Sequence, residues 1–159
     1  MRADCYDRFG RPVSRLTAAT DGSADSPGPG QGGWAWVTNE GTWGWGNCRE
    51  TTHNRMELKA VMMLLKSHPD RPLLIQADST YVLNIFTDVL NGWGREGTRT
   101  AKGTELANFD LIERIDELLE ERKDICWEWV KGHKGHPLNE SADRLAGFAR
   151  SQAKLGHWR

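Results

Sequence analysis

The first half of the chain contains short stretches in which aromatic or apolar residues alternate with small or polar ones. Residues 33–37 (GWAWV) and 42–46 (TWGWG) show this alternation on either side of the turn Asn39-Glu40-Gly41. Two such runs around a glycine-containing turn are typical of a β-hairpin. Residues 13–21 precede the hairpin and are predicted to pair with it as a third strand, although alanines are weak strand formers.

Beyond the hairpin, apolar residues recur every three or four positions, which is the spacing of amphipathic helices. Helices are predicted at residues 54–67, 79–90, 104–122 and 139–154, and strands at 73–77 and 125–130. Three consecutive strands followed by strand–helix alternation indicate an α/β fold. We therefore expect a five-stranded mixed sheet, an antiparallel meander plus parallel strands, with helices on both faces.

Length and composition fit a single globular domain. With 159 residues and 38% hydrophobic side chains, the chain can bury a substantial core. We expect a flexible N-terminal leader at residues 1–12, one domain at 13–155 and a C-terminal tail at 156–159. No apolar run reaches the ~18 residues of a membrane span, and no signal peptide is evident.

Charge and cysteine content narrow the function classes. The formal net charge of -1 argues against a general polyanion binder, so any nucleic-acid contact must be local. Three cysteines without a CxxC pair do not indicate a disulfide framework or a zinc site. These features favour a cytoplasmic protein.

Four carboxylates fall where an α/β sheet presents its ligand site. Asp21 is the last residue of the first predicted strand, Asp78 directly follows the fourth, and Glu57 and Asp143 fall in the first turns of two helices. Ligands of open α/β sheets bind outside the carboxyl ends of the strands. A cluster of oxygen ligands without cysteine there favours Mg²⁺ or Mn²⁺ over zinc.

Each acid also has a purely structural interpretation. Residues 54–57 have capping-box spacing, in which Glu57 would reach back to the helix start. Asp78 and Asp143 could be ordinary acids at helix N-termini, and Asp21-Gly22-Ser23 has a common turn composition. Only the joint placement of the four acids favours a metal site.

Four motifs in this order resemble ribonuclease H, type 1. They are TDGS (20–23), TTHNRMEL (51–58), ADSTYV (77–82) and WVKGHKGHPLNESADRLA (129–146). The resemblance implies the ribonuclease H-like fold and an endonuclease that hydrolyses the RNA strand of RNA–DNA hybrids, leaving 5′-phosphate and 3′-hydroxyl ends. It further implies a two-metal-ion mechanism with Mg²⁺, two ions per site once substrate is bound and Mn²⁺ as a substitute.

The resemblance also assigns roles to individual residues. The metal-binding carboxylates are Asp21, Glu57, Asp78 and Asp143, and His133 takes part in proton transfer or product release. Thr52 and Asn108 correspond to a contact with a phosphate of the DNA strand. The substrate-binding residues are Gly22, Ser23, Thr52, Asn54, Trp93, Asn108 and Asn139. Trp93 is expected to be exposed, and the tryptophans on predicted strands (34, 36, 43, 45, 127 and 129) are expected to pack in the core or on a sheet face.

Three other functions remain to be distinguished from a hybrid-cleaving nuclease. A hybrid-binding module without activity would normally lack one acid, and none is missing. A junction resolvase or transposase core would not need the KGHxGHPxNE loop. A structural cation-binding domain would not need Thr52, Asn108 or His133. The partner implied is an RNA–DNA hybrid bound by a monomer, with no membrane and no obligate protein partner.

Overall fold

A mixed sheet of five strands forms the centre of the fold. The computed structural model describes residues 9–10, 14–26, 28–89, 107–120, 122–132 and 135–159. The strands are β1 (Leu16–Ala24), β2 (Gly30–Thr38), β3 (Trp43–Thr51), β4 (Leu73–Ala77) and β5 (Ile125–Trp129), in the spatial order β3-β2-β1-β4-β5. β1, β2 and β3 pair antiparallel, and β4 pairs parallel with both β1 and β5. The predicted meander with added parallel strands is confirmed.

The described helices cover both faces of this sheet. They are α1 (His53–Ser67), α2 (Thr80–Leu83, continued by a π-helical segment Asn84–Val89), α3 (Phe109–Leu119) and α4 (Pro137–Lys154). Neighbouring residues of a strand point to opposite faces. A Cβ added at Gly32 would lie 3.0 Å from Met56 Cγ of α1, whereas one added at Gly33 would lie 2.7 Å from Ala149 Cβ of α4. α1 and α4 therefore pack on opposite faces.

The two faces are packed with side chains of different size. The α1 face holds the larger core, in which Leu58, Leu64 and Ile75 are fully buried. The α4 face holds a small cluster of Ala19, Val37 and Ala142. Small residues there let α4 approach β1 and β2 closely, and this brings the first half of α4 next to the carboxylate cluster.

The strands are longer than the sequence pattern indicates. The first two strands were predicted at residues 13–21 and 33–37, but β1 continues to Ala24 and β2 already begins at Gly30. The reason is close packing against α1. A Cβ at Gly22 would lie 2.3 Å from the Glu57 backbone nitrogen, so glycine here serves helix packing rather than a turn.

Asn47 of β3 holds the predicted C-terminal tail against the sheet. Its backbone N–H donates to the Arg159 carbonyl at 3.0 Å, and its side-chain Oδ1 accepts from the Arg159 N–H at 2.9 Å. Its Nδ2 donates to the carbonyls of His157 and Ala149 at 2.8 and 3.1 Å. Residues 157–159 therefore lie along the outer strand of the sheet. The predicted domain limits stay a prediction.

Several smaller expectations have mixed outcomes. Trp34, Trp36 and Trp127 are buried as expected, but Trp43 and Trp129 are 63% and 50% exposed. Cys48 is a free thiol, whereas Cys126 is disulfide-bonded, which the cysteine count did not indicate. No helix within the described ranges is long and apolar enough to cross a membrane.

Candidate active site

Asp21 lies where β1 stops pairing with β4 but continues to pair with β2. The pairing of β1 with β4 ends at Ala19 and Gln76, whereas its pairing with β2 continues to Ala24 and Gly32. A crevice therefore opens beside Asp21, at the position where open α/β sheets bind ligands. The prediction that Asp21 ends its strand is wrong, because Asp21 lies in the interior of β1. The strand that ends near Asp21 is β4, the parallel partner of β1.

Two further acids enter this crevice from other elements. Asp78 follows directly after β4, and its Oδ2 would lie 3.0 Å from a Cβ added at Gly132. Glu57 comes from the second turn of α1, not the first, because that helix begins at His53. The carboxylate oxygens of Asp21, Glu57 and Asp78 lie within 4.8 Å of one another.

Asp143 joins the cluster from the opposite face of the sheet. It lies in the second turn of α4, which begins at Pro137, two residues earlier than predicted. It lies close enough to Asp21 to help raise the pKa of that carboxyl group. The structure therefore brings all four predicted acids together.

The cluster is strongly unfavourable while all its members are charged. Burial raises the pKa of Asp21 to about 7; the hydrogen bond with Glu57 opposes this, and the charge of Asp78 adds to it. Burial also raises the pKa of Glu57 well above its ordinary value, with a further contribution from the charge of Asp21. The Gly22 N–H donates to Asp21 Oδ1 at 2.9 Å and compensates only part of this cost.

These side chains fit a hard divalent cation. Both Asp21 and Glu57 are only 4% exposed, and Glu57 Oε2 has no hydrogen-bond partner among the described residues. A buried carboxylate oxygen without a partner is costly unless a cation or a proton meets it. Oxygen-only ligands are the type that Mg²⁺ and Mn²⁺ prefer.

Helix capping and the helix dipole explain the positions of these acids less well than a metal site does. Thr52, not Asn54, caps α1, and its side chain accepts from the Arg55 N–H at 3.3 Å. Glu57 is buried and does not form the predicted capping box. Glu140 is the acid in the first turn of α4, so the helix dipole does not explain Asp143.

The predicted substrate-binding residues fall into three groups. Thr52 and Asn54 are exposed at the start of α1, and Asn108 is the half-buried N-cap of α3. Gly22 is buried against α1 and Asn139 is 2% exposed, and their predicted roles in substrate binding stay predictions. Ser23 is half-buried.

Some predicted features lie outside the described residues. They are His133 and Trp93. Their assigned roles stay predictions.

Sequence reasoning missed three side chains beside the site. Arg55 of α1 forms a bidentate ion pair with Asp110 of α3, and the Asn108 side chain donates to the Tyr81 hydroxyl. Arg55 and Tyr81 stand inside recognised motifs, but their partners are distant in the chain. No local pattern could have identified them.

Comparison with known proteins identifies the family. The sequence model of the RNase H family matches residues 14–151. Ribonuclease H of Tropheryma whipplei (strain Twist) is 45% identical over 135 residues, which cover 84% of this chain and 83% of the relative. Ribonuclease H of Saccharopolyspora erythraea is 42% identical over 140 residues, covering 85% and 90%. The Rhodospirillum rubrum protein is 41% identical over 150 residues, covering 89% and 87%.

Solved structures support the fold. The foamy viral protease-reverse transcriptase in complex with RNA/DNA hybrid superimposes with a TM-score of 0.74 at 23% identity, over 86% of this chain and 20% of the viral chain. The same viral protein in complex with dsDNA gives a TM-score of 0.74 over 86% of this chain and 94% of that one. Given the family match, the identity to bacterial relatives and the shared fold, this chain is an enzyme of the ribonuclease H family.

Proposed function

We propose that this protein is an endonuclease that hydrolyses the RNA strand of RNA–DNA hybrids. The observation that carries the proposal is the convergence of Asp21, Glu57 and Asp78 in one crevice, with Asp143 close to Asp21. Membership of the ribonuclease H family and the fold shared with a hybrid-bound viral protein support the substrate.

The four carboxylates would hold two Mg²⁺ ions, with Mn²⁺ as a substitute. When bound, these ions would activate a water molecule and neutralise charge on the phosphate and the leaving oxygen. Asp21 would be a ligand of both ions, and its position beside the other three acids supports this role. Gly22 keeps the Asp21 carboxylate oriented through its N–H.

The two strands of the substrate would be recognised differently. Polar groups near Ser23 and Asn54 would read the 2′-hydroxyls of the RNA strand in the minor groove. Thr52 and Asn108 would donate hydrogen bonds to one phosphate of the DNA strand, and Trp93 would contact the same strand. His133 would move a proton or assist product release, for which a group titrating near neutral pH is suited.

One experiment tests the function. The protein is incubated with Mg²⁺ and, in parallel, with an RNA–DNA hybrid, single-stranded RNA and duplex DNA, each labelled on one strand. Only the RNA of the hybrid should shorten, with 5′-phosphate and 3′-hydroxyl ends. Asp21→Asn should abolish cleavage, and cleavage of all three substrates at similar rates would contradict the proposal.

Two further points belong to the same proposal. We expect a monomer that needs no protein partner, which sedimentation of the purified protein would test. A cytoplasmic location is expected as well, and fractionation of cells that produce the protein would test it.

A further inference from the structure

The N-terminal ends of three helices meet near the carboxylate cluster, and side chains fix their relative positions. Arg55 of α1 pairs with Asp110 of α3 at N–O distances of 2.9 and 2.7 Å. The Asn108 Nδ2 donates to the Tyr81 hydroxyl of α2 at 3.1 Å. Arg55 lies three residues after Thr52, the N-cap of α1. These contacts tie α1, α2 and α3 together beside the two side chains proposed to bind phosphate.

Asn108 has an unusual backbone conformation. Its φ of 63° and ψ of 18° are left-handed, and among the described residues it is the one non-glycine with positive φ. For an L-residue this conformation costs about 1 kcal/mol or more, although asparagine tolerates it better than most. The Asn108 side chain makes no capping hydrogen bond to its own helix and turns to Tyr81 instead. Contacts from outside α3 therefore stabilise this conformation.

Hydrogen-bond capacity at Thr52 and Asn108 suits one phosphate. An asparagine amide has two N–H groups, and among the described residues Tyr81 takes one of them, which leaves the other for donation to a ligand. The Thr52 hydroxyl accepts from the Arg55 N–H, so its own proton is available for donation. Two oriented donors on adjacent helix N-termini are a favourable setting for an anion.

The ion pair removes a charge that would oppose that anion. Asp110 lies in the first turn of α3, two residues after Asn108, and an unpaired carboxylate there would repel a phosphate. Arg55 supplies the compensating charge through two hydrogen bonds. It also fixes the distance between the starts of α1 and α3.

We propose that Tyr81 and the Arg55–Asp110 pair are positioning residues that hold Asn108 at a fixed separation from Thr52, so that both bind one DNA-strand phosphate. The proposal rests on the hybrid-cleaving function proposed above. It assigns Tyr81, Arg55 and Asp110 to substrate recognition, through Asn108, and not to the chemical step.

The first test compares the kinetics of three single variants. Tyr81→Phe removes the acceptor for Asn108 and keeps the ring, and Arg55→Gln breaks the ion pair and leaves the Asp110 charge uncompensated. Glu117→Gln is the matched control, because it breaks the Arg114–Glu117 pair (3.0 Å) elsewhere on the same helix. Tyr81→Phe and Arg55→Gln should each raise KM for a hybrid about threefold to tenfold at nearly unchanged kcat, the range of one lost hydrogen bond. Glu117→Gln should behave as wild type.

The second test locates the effect on the substrate. A series of hybrids carries one uncharged methylphosphonate at successive positions of the DNA strand. For the wild type, one position should raise KM several-fold more than its neighbours. In Tyr81→Phe and Arg55→Gln that extra penalty should shrink to about twofold or less, because the phosphate contact is already weakened, while all other positions respond as in the wild type.

The outcomes separate this inference from the function on which it rests. If the wild type does not cleave the RNA strand of a hybrid, the proposed function itself is overturned. A wild-type KM in Tyr81→Phe would overturn the positioning role with the function intact. A raised KM with the full methylphosphonate penalty would also overturn it, because the substitution would then act through general structure.

Discussion

Neutralising Asp21 should stabilise the metal-free protein at neutral and alkaline pH. The folded protein holds the pKa of Asp21 at about 7, against an ordinary value of 3.8. Because the folded-state pKa is raised, the carboxyl costs no stability below about pH 4, where it is protonated in both the folded and unfolded states. The cost then grows as pH rises from about 4 and is complete above about 7.

The size of this effect follows from the pKa difference. One pKa unit is worth 1.36 kcal/mol, so the difference between 3.8 and about 7 corresponds to about 4 kcal/mol. The pKa of Glu57 is raised partly by the charge of Asp21, so Glu57 ionises more readily when residue 21 is neutral, and part of that cost passes to Glu57. We therefore expect Asp21→Asn to raise the free energy of unfolding by about 2–4 kcal/mol at pH 8, and by less than about 0.5 kcal/mol at pH 4. The amide oxygen of the substituting asparagine can still accept from the Gly22 N–H, so the local geometry is retained.

The assay is urea unfolding followed by tryptophan fluorescence, in chelator, between pH 4 and pH 8. Asp116→Asn, on the exposed side of α3, is the control and should leave the pH dependence of wild type unchanged. Adding Mg²⁺ at pH 8 should stabilise the wild type and should stabilise Asp21→Asn much less, since binding to the folded state alone adds to stability. Parallel pH profiles for wild type and Asp21→Asn would refute the reasoning, because the cluster would then carry no electrostatic strain.

Four further substitutions test packing and anchoring. Gly22→Ala should lower both stability and cleavage rate, since its Cβ would lie 2.3 Å from the Glu57 backbone nitrogen. Gly147→Ala on α4, where an added Cβ would have no atom within 4 Å, should instead stabilise the protein by about 0.5–1 kcal/mol in thermal unfolding. Arg122→Ala should cost about 2–3 kcal/mol in urea unfolding, because its largely buried guanidinium bonds Asp124 and two backbone carbonyls; a loss below about 0.5 kcal/mol would contradict this. Asn47→Ala should cost about 1–2 kcal/mol and speed proteolysis of residues 155–159, and an unchanged digestion rate would count against the anchoring role.

The carboxylate cluster could be predicted because its members occupy regular positions of an α/β sheet. Asp78 follows a short buried strand, and Glu57 and Asp143 lie near the starts of periodic helices. The sequence pattern thus located the site without a structure. It also misjudged details: Asp21 is interior to its strand, since glycines that resemble a turn are required for packing on α1.

Other parts of the site had no local signal. The Arg55–Asp110 pair joins residues 55 positions apart, and the Tyr81–Asn108 hydrogen bond joins residues 27 apart. The burial of Asn139 depends on how α4 meets the sheet, and a polar residue in a loop motif would otherwise be expected at the surface. Such contacts depend on tertiary packing and not on spacing along the chain.

The anchoring of residues 157–159 to β3 has a consequence for self-association. β3 is an outer strand of the sheet, and a bare outer strand can accept a strand from another molecule and so nucleate aggregates. The backbone N–H of Asn47 already donates to the Arg159 carbonyl, so the middle of β3 cannot pair with a strand of another molecule. Removing residues 157–159 would expose this edge of β3, and the purified truncated protein should precipitate at a lower concentration than the full-length one.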